Sequence, residues 1–501
     1  MSRLRCPFPR MPSCLRRFAA DEGGAVLVLW GMFLAVAFGF LALAVDFGRV
    51  ASTQSEMQSY ADQVALAAAG ELDGRTDAIT RARVAADRLI RDWQTFASGD
   101  QVLGGAADFQ LAFLTTLPGS DTAAATATTT DARLARFVRV TVATATVPTP
   151  FAAVASTLRG DAMTSDVDIA ATATAGPAAY ACDVTPLMFC VPPGWRADAN
   201  RGDQITLRSG GPGAAWGPGN FGFLDPSSLP TDTEGPCAGV TSQAQLYRCL
   251  VGAERAVTAC IRTDQGVTTL TGQRVGLAEA FNTRFDHFSG SMQNLRNNPA
   301  YRPAPNTVQG TLPRRQGNGN APRPACRGNN VEVSDAMRLP RDTCIVSGSC
   351  GRFGDGNWNR AAYVAMNHNG VYPAGTSATS TRYAMYLAEI AAARSRTAPN
   401  NVPLPGRQET GAPQCHALGP TSDPDRRTVV AAAVDCAANN IRGSTSNVVP
   451  LEYVQLFMTE PVASPGGGED AEIMVEVIRS AGGLGSGATV GTYREIVQLY
   501  R

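Results

Sequence analysis

The feature that most constrains this chain is an uncharged, proline-free run of 22 residues, Gly24–Val45. At about 1.5 Å per residue, a helix of this run reaches about 33 Å, enough to cross a hydrocarbon core of about 30 Å. No second run in the 501-residue sequence is long and apolar enough to span a bilayer. The pattern therefore predicts a single-pass membrane protein with a soluble body and excludes a multi-span carrier.

Charge on the two sides of this run predicts its orientation. Residues 1–23 carry five arginines and two acidic residues, whereas residues 46–65 carry one arginine and three acidic residues. Because positive flanks stay in the cytoplasm, we expect a cytoplasmic tail at 1–23, a transmembrane helix at 24–45 and the body outside. A cleaved secretory signal is the alternative, since Ala42-Leu43-Ala44 fits a small-residue cleavage pattern. The run exceeds the roughly 7–15 apolar residues of such signals, which favours an uncleaved anchor.

Cysteine placement agrees with this orientation. Ten of the 12 cysteines follow the span, an even number confined to one side, which predicts disulfides in an oxidising space. The alternative is buried free thiols in a reducing compartment. The pair that short separation favours is Cys182 with Cys190, and the other connectivity is open. The candidate disulfide cysteines are Cys182, Cys190, Cys237, Cys249, Cys260, Cys326, Cys344, Cys350, Cys415 and Cys436.

Hydrophobic periodicity predicts an α+β fold. An apolar stripe of helical period continues the anchor helix without a break toward Gly70, and a second helix is predicted over Thr76–Phe96. Antiparallel strands are then predicted at Phe109–Thr116, Phe137–Val147 and Asp166–Ala175. Residues 46–176 would thus form a pilin-like helix-and-sheet unit. The stripe would face its own sheet or a partner.

Residues 177–501 are predicted to form a β-rich domain stapled by disulfides. Within it we expect a helix at Tyr383–Arg394 and flexible loops near 298–325 and 397–427, which are rich in proline. Strands are predicted near the C-terminus, closing a sheet begun earlier in the domain. The expected closing strands are Val448–Thr459, Ile473–Ile478 and Tyr493–Leu499, and the opening ones are Ile205–Leu207 and Phe221–Leu224.

The sequence offers little catalytic chemistry. It contains no GxSxG, Walker or HExxH motif, and its three histidines lack partners at metal-ligand spacing. Asp225-Pro-Ser227-Ser228 reads as a turn rather than a cation site. The one mixed cluster is Glu279–Phe288, where Asp286 and His287 fit a buried structural network better than an active site. We expect no catalytic, cofactor-binding or metal-binding residues, and a net charge of zero argues against nucleic acid as a partner.

An ordered set of residues around the anchor carries a family resemblance. Phe18 and Glu22-Gly23 precede the span, and Gly24-Ala25-Val26 begins it. Val45-Asp46-Phe47-Gly48-Arg49 ends it, and Ala61-Asp62 with Ala65–Ala69 follow. These residues resemble the N-terminal region of TadG-like proteins of the bacterial tight-adherence (Tad/Flp) pilus assembly systems. Three later pieces also resemble such proteins: Trp216–Asp225, Phe281–Phe288 and Phe457–Val462. The motif residues singled out are Gly24, Asp46, Gly48, Arg49 and Asp62.

The resemblance implies an inner-membrane-anchored, pilin-like accessory protein with a periplasmic or outside body. It implies a role in pilus biogenesis and surface adherence, with other Tad/Flp assembly proteins or pilins as partners. Relatives processed like pilins carry Glu five residues beyond the cleaved glycine, whereas here that position is Leu29 after Gly24 or Val28 after Gly23. An envelope hydrolase using the Glu279–Phe288 cluster and an extracytoplasmic ligand-binding or adhesin module are the alternatives.

Overall fold

The computed structural model describes most of the chain after the N-terminal tail. The described residues are 25–73, 75–89, 91–98, 102–120, 123–132, 134–153, 166–182, 184–210, 213, 215–225, 235–255, 260–262, 266–270, 277–317, 323–328, 330–396, 404–463, 471–483 and 493–500. They divide into two compact units. The first contains the described residues up to Leu72, Thr76–Gly176 and those from Val497 onward, and the second contains Asp73–Arg75 and Pro177–Ile496.

Both units mix helices with strands. The α-helices are α1 (Ala25–Ala69), α2 (Ala78–Leu89), α3 (Gln243–Gly252), α4 (Leu277–Asn282), α5 (Thr343–Ser347), α6 (Arg360–His368) and α7 (Arg382–Arg394). Short 3₁₀ segments lie at Ala197–Ala199, Thr283–Phe285, Gly290–Asn297, Pro299–Tyr301 and Pro424–Arg427.

The strands follow in chain order. Those up to the unit boundary are β1 (Asp92–Trp93), β2 (Val102–Leu103), β3 (Phe109–Leu114), β4 (Phe137–Val142), β5 (Ala145–Pro148), β6 (Asp166–Ile169) and β7 (Thr172–Cys182). The later ones are β8 (Leu187–Cys190), β9 (Gln204–Ser209), β10 (Asn220–Leu224), β11 (Cys260–Arg262), β12 (Val267–Leu270), β13 (Thr311–Pro313), β14 (Arg315–Gln316), β15 (Arg323–Pro324), β16 (Asn330–Glu332), β17 (Thr428–Val434), β18 (Thr445–Val448), β19 (Glu452–Met458), β20 (Glu472–Gly483) and β21 (Tyr493–Leu499).

Helix α1 is one unbroken element of 45 residues, as the sequence predicts. It ends at Ala69, directly before Gly70. Its first half, from Leu27 to the end of the apolar run, exposes nearly every side chain. Within the described ranges, α1 is thus the helix long and apolar enough to span a membrane, by length and composition.

The second half of α1 packs on the sheet of its own unit. Met57, Ala61, Val64 and Ala68 are fully buried and join one hydrophobic cluster with alternate residues of β4 and β7. Strand β4 pairs antiparallel with β3 on one side and β7 on the other. The predicted stripe therefore serves the chain's own core.

Two predictions for the first unit need correction. The second helix ends at Leu89, not Phe96, because Asp92 and Trp93 pair with Val102 and Leu103 as a small antiparallel ladder. The predicted strand Phe137–Val147 is two strands, β4 and β5, and β5 pairs with β6 rather than extending the main sheet.

The second unit is built on a closed ring of six strands. Hydrogen bonding runs in the order β10–β8–β17–β19–β20–β9 and returns to β10, so the strands form a barrel, with β12 and β18 added beside β10. The β8–β17 and β9–β10 pairs are parallel. Alternate residues of all six ring strands, such as Leu187, Phe189 and Leu456, enter one hydrophobic cluster, which places that cluster inside the ring.

The outer face of the ring is also covered. Met188, Cys190 and Ala432 alternate with the inward residues and join a second cluster around Trp216. Helices α6 and α7 cover Phe457 of β19 in another. Because both faces are buried, these strands read as continuous apolar runs rather than alternating ones.

A buried ion triad attaches α7 to the barrel. Arg382, at the first position of α7, donates to Asp342 at 2.5 Å and to Glu476 of β20 at 3.1 Å, and the three side chains are 0–1% exposed. The Glu476 carboxylate also accepts the backbone N–H groups of Arg382 and Tyr383 at 2.8 Å. The carboxylate thus satisfies otherwise orphaned donors at the start of this helix.

The last strand does not close the barrel as predicted. Strands β19 and β20 do join β9 and β10 in one sheet, but β21 pairs with β7 instead. The backbone N–H of Tyr500 donates to Thr174 at 2.8 Å, and the Tyr500 ring packs edge-on against Phe137 at 5.1 Å. The ring is already complete through the β9–β10 pairing, so it has no free edge for β21.

The segments predicted to be flexible, near 298–325 and 397–427, bond to each other over their described residues. Thr307 donates its backbone N–H to Gly411 at 3.0 Å, and Thr421 donates to Pro303 at 2.9 Å. The disulfide Cys326–Cys415 joins the residue directly after the first segment to the middle of the second. Residues 318–322 and 397–403 lie outside the described part.

Candidate functional site

The motif residues lie where the span meets its unit. Asp46, directly after the apolar run, is 5% exposed, and its Oδ2 accepts the backbone N–H of Ala152 at 2.7 Å. Its other carboxylate oxygen, Oδ1, is buried without a hydrogen-bond partner among the described residues. An aspartate directly after an apolar span is most simply interpreted from sequence as a residue that faces water at the membrane surface. The burial of Asp46 shows that this interpretation is wrong. Asp46 holds a helical turn that is 106 residues away in sequence.

The other motif residues occupy the same helix. The guanidinium of Arg49 stacks over the Phe96 ring at 5.5 Å, which anchors the segment after α2. Asp62 is half-buried and accepts the Gln58 amide at 2.9 Å, one helical turn away. Gly48 has open space where a Cβ would stand, so no described contact requires glycine there. Gly24 lies outside the described residues.

The alternative, catalytic site at Glu279–Phe288 centres on the Asp286 carboxylate, which accepts several backbone hydrogen bonds. Asp286 adopts a left-handed backbone conformation with φ 66° and accepts the backbone N–H groups of residues 414, 415 and 416 at 2.5, 2.6 and 3.0 Å. Burial raises the pKa of Asp286 to about 6, and these three bonds oppose the rise. Three donors converging on one carboxylate fasten the 414–416 loop.

His287 and Glu409 line one small polar cavity with Asp286. Burial lowers the pKa of His287 to about 4, and its Nε2 lies 3.3 Å from the Asn330 amide. Burial raises the pKa of Glu409 to about 7, although its carboxylate accepts three backbone N–H groups, from Gln309, Gly310 and Thr311. The cavity measures about 30 Å³, the room that about one water occupies in the liquid. It does not accommodate a substrate.

Glu279 serves a separate local role. Its carboxylate accepts both the backbone N–H and the hydroxyl of Ser291, at 3.0 and 2.9 Å. It is not among the residues that line the Asp286 cavity. Glu279 and Asp286 are close in sequence, but each carboxylate makes its own structural contact, with Ser291 and with the 414–416 loop respectively.

The later pieces that carried the resemblance have structural contacts. Asn282 and Val462 exchange two hydrogen bonds, 2.9 and 2.7 Å, so the Phe281–Phe288 and Phe457–Val462 pieces bind each other. Trp216 covers Gly222, where an added Cβ would lie 2.6 Å from the indole. Position 222 in the Trp216–Asp225 piece must therefore be glycine for the Trp216 indole to pack over it.

Sequence reasoning missed a set of buried arginines. Arg427 lies within 4.5–5.0 Å of the ring centroids of Phe285, Tyr386 and Phe457, and donates to the Met458 and Thr459 carbonyls. Burial lowers the pKa of Arg427 to about 10. Arg284 likewise donates to the Val251 carbonyl at 2.7 Å. These guanidinium groups hold loops to the barrel through backbone carbonyls.

Among the candidate cysteines whose side chains the structure describes, eight form four disulfides. The pairs are Cys190–Cys436, Cys237–Cys249, Cys326–Cys415 and Cys344–Cys350. The favoured Cys182–Cys190 pair is wrong, because Cys190 bonds Cys436 across 246 positions. Cys182 is instead opposite Cys260 in the β7–β11 register. The prediction from short sequence separation was wrong because the barrel places β8, which ends at Cys190, beside β17.

The histidines make protein contacts. His368 Nε2 lies 2.8 Å from the buried Glu389 carboxylate, and His416 Nε2 lies 3.0 Å from the Asn298 carbonyl. Within the described ranges no group of three His, Cys, Asp or Glu residues is arranged to hold a metal ion. The Pro226–Ser228 part of the predicted turn lies outside those ranges.

Comparison with known families adds the decisive observation at the anchor. Residues 23–71 match the family described as Putative Flp pilus-assembly TadE/G-like. This segment is thus similar to TadE/G-like Flp pilus-assembly proteins. The resemblance predicted for the first 70 or so residues is thereby confirmed, and it supports involvement in Tad/Flp pilus assembly. Neither the curated proteins nor the solved structures gave a match.

The TadE/G-like region coincides with one structural element. It begins just before α1, includes all of that helix and ends two residues after Ala69. Its apolar half is exposed and its second half forms the core of the first unit. One helix therefore supplies both an exposed apolar half long enough to span a membrane and part of the core of the first unit.

Proposed function

We propose that the chain is a non-catalytic, single-pass component of Tad/Flp pilus assembly and of surface adherence. The observation that carries the proposal is the TadE/G-like match on a helix that exposes an apolar half long enough to span a membrane. The family description names pilus assembly and no enzymatic activity.

The proposed location is the bacterial inner membrane, with a cytoplasmic N-terminus and the body in the periplasm or outside. Five arginines before the span support this orientation. The four disulfides support it independently, because they belong in an oxidising compartment. All of their cysteines lie after the span.

The first unit is proposed to act as a pilin-like module whose anchor is retained. Support comes from the order of its elements, a long N-terminal helix packed on a small antiparallel sheet. Leu29 stands where relatives processed like pilins carry Glu, which favours retention. The exposed span would then contact neighbouring pilin helices within the membrane.

The hydrolase alternative gains no support from the geometry around Asp286. Its carboxylate oxygens are occupied by three backbone donors, and the adjoining cavity is of water size. A general base must reach a substrate proton at about 2.6–3.2 Å. A substrate has no room to approach it here.

Affinity purification of the full chain from membranes of piliating cells tests the proposal. The control is an unrelated single-span protein with the same tag and expression level. We expect Flp pilin or Tad assembly proteins to be enriched only with this chain. Equal recovery from both purifications would contradict the proposal.

A further inference from the structure

The connection between β3 and β4, residues 115–136, is long and adds little to the core of its unit. Its described part contains no helix or strand, and no described residue from 115 to 131 is buried. Connections of more than about 12–15 residues without secondary structure are uncommon in compact domains, and they are usually functional or disordered. Packing therefore does not explain this loop.

The composition of the loop indicates a use for it. Residues 115–131 contain seven threonines, one serine, four alanines and one proline, and their only charged side chains are two aspartates. Segments rich in serine and threonine that also contain proline are typical of chains that carry O-linked sugars. Such segments present hydroxyl groups to solvent and do not form a packed core. We call residues 115–131 the threonine-rich loop.

The middle of the threonine-rich loop is held beside the end of β3. Thr115 donates its backbone N–H to the Ala127 carbonyl at 2.9 Å, and Thr129 donates its backbone N–H to the Phe113 carbonyl at 2.9 Å. Both bonds engage main-chain groups of the loop. The backbone of this part is therefore positioned without the use of a hydroxyl group.

Threonines at every second position of this held part expose their side chains. Thr126, Thr128 and Thr130 are exposed, whereas Ala127 and Thr129 between them are half-buried. Within the described part of the chain, the hydroxyl groups of the three exposed threonines have no hydrogen-bond partner. The Thr129 hydroxyl, in contrast, accepts the backbone N–H of Asp131 at 3.1 Å. Three hydroxyl groups are thus available, and the one at position 129 is in use.

Access to these hydroxyl groups is not restricted by bulky sequence neighbours. Residues 123–130 are all alanine or threonine. The loop also lies at the end of its sheet that is farther from the span. Gln58 of α1 donates to the Thr172 carbonyl, and Gln54, one turn nearer the apolar half, donates to the Ala170 carbonyl. Strand β7 therefore runs away from the apolar half, and β4, antiparallel to it, begins at the far end.

We propose that Thr126, Thr128 and Thr130 are acceptor sites for O-linked sugars. The threonine Oγ1 attacks the anomeric carbon of an activated sugar that carries a diphosphate leaving group. The bond from that carbon to Oγ1 forms, the bond to the diphosphate oxygen breaks with its electron pair, and the hydroxyl proton passes to a base of the transferase. No oxidation or reduction takes place. The inference does not depend on a role in pilus assembly.

Mass spectrometry of the full chain, purified from the membranes of cells in which it is native, tests this. Cleavage on the N-terminal side of aspartate releases residues 121–130 as one peptide, because the next aspartate is Asp131. We expect this peptide to carry the mass of one or more sugars and to release sugar oxonium ions on fragmentation. The attachment points should be positions 126, 128 or 130. An unmodified peptide in all copies, a phosphate instead of a sugar, or attachment at position 129 alone would overturn the proposal.

Two matched triple variants separate the hydroxyl groups from the shape of the side chains. Changing Thr126, Thr128 and Thr130 together to valine keeps the branched side chains and removes the hydroxyl groups, so the peptide should lose its sugar completely. Changing all three to serine keeps exposed hydroxyl groups, so the peptide should stay glycosylated. Thr129→Val is the control, because it removes the bonded hydroxyl and should leave the sugar in place. Sugar that persists on the valine variant, or that is absent from the serine variant, would contradict the assignment.

Discussion

Replacement of Asp286 by Ala separates a structural carboxylate from a catalytic one. The substitution leaves the backbone N–H groups of residues 414–416 without their acceptor. At roughly 2 kcal/mol for each buried unsatisfied donor, the loss is about 6 kcal/mol. The raised pKa shows that the ionised carboxylate is itself disfavoured at pH 7, by about 3 kcal/mol for a change from 3.8 to about 6. The net expected destabilisation is therefore about 3 kcal/mol.

The assay is urea unfolding of the full chain in vesicles at pH 7, followed by pulse proteolysis with the disulfides intact. Asp355→Ala is the matched control, because this carboxylate is exposed and bonds only its neighbour Asn357. We expect the control to change stability by less than about 1 kcal/mol. If Asp286→Ala unfolded at the same urea concentration as the wild type, the assignment of Asp286 as a loop staple would be refuted.

The remaining predictions concern pH, the ion triad and the longest disulfide. Burial raises the folded-state pKa of Asp286 from 3.8 to about 6. The free energy of unfolding should therefore fall by about 3 kcal/mol as pH rises through this window, and then level off. In unfolding curves measured from pH 3.5 to pH 7, the Asp286→Asn variant should lose this pH-dependent component. Arg382→Met leaves Asp342 and Glu476 buried without their cation, so unfolding titrations should show a loss of about 3–5 kcal/mol, and a loss below about 1 kcal/mol would contradict the triad's importance. Replacing both cysteines of the Cys190–Cys436 pair with serine should cost about 2–5 kcal/mol by the same assay, and an unchanged midpoint would argue against its contribution.

Local patterns were sufficient to predict α1 and much of the first unit. The uncharged run and the stripe through Met57, Ala61 and Val64 follow from helical periodicity alone. The predicted Tyr383–Arg394 helix begins one residue earlier in the structure, at Arg382. In these cases the determining contacts repeat within one or two helical turns.

The barrel and its disulfides were beyond local reasoning. Ring closure depends on the parallel pairing of Asn220 with Arg208, and the Cys190–Cys436 bond depends on β8 lying beside β17. Both faces of these strands are buried, which removes the alternation that identifies a strand.

The candidate site was hidden for a similar reason. Asp46 looked like a solvated residue because its partner, Ala152, is 106 positions away. The sequence analysis did not single out Arg427, yet three aromatic rings and backbone carbonyls enclose it. Glu409 lies in a proline-rich stretch that composition assigned to a flexible loop. Long-range partners decide the role of each.

The central claim is that this chain is needed to assemble Tad/Flp pili. Counting pili per cell by electron microscopy in a strain that lacks the chain tests it most directly, with the full chain restored on a plasmid as control. The account predicts that the deletion strain has no pili and that the restored strain recovers them. Normal pili in the deletion strain would contradict it.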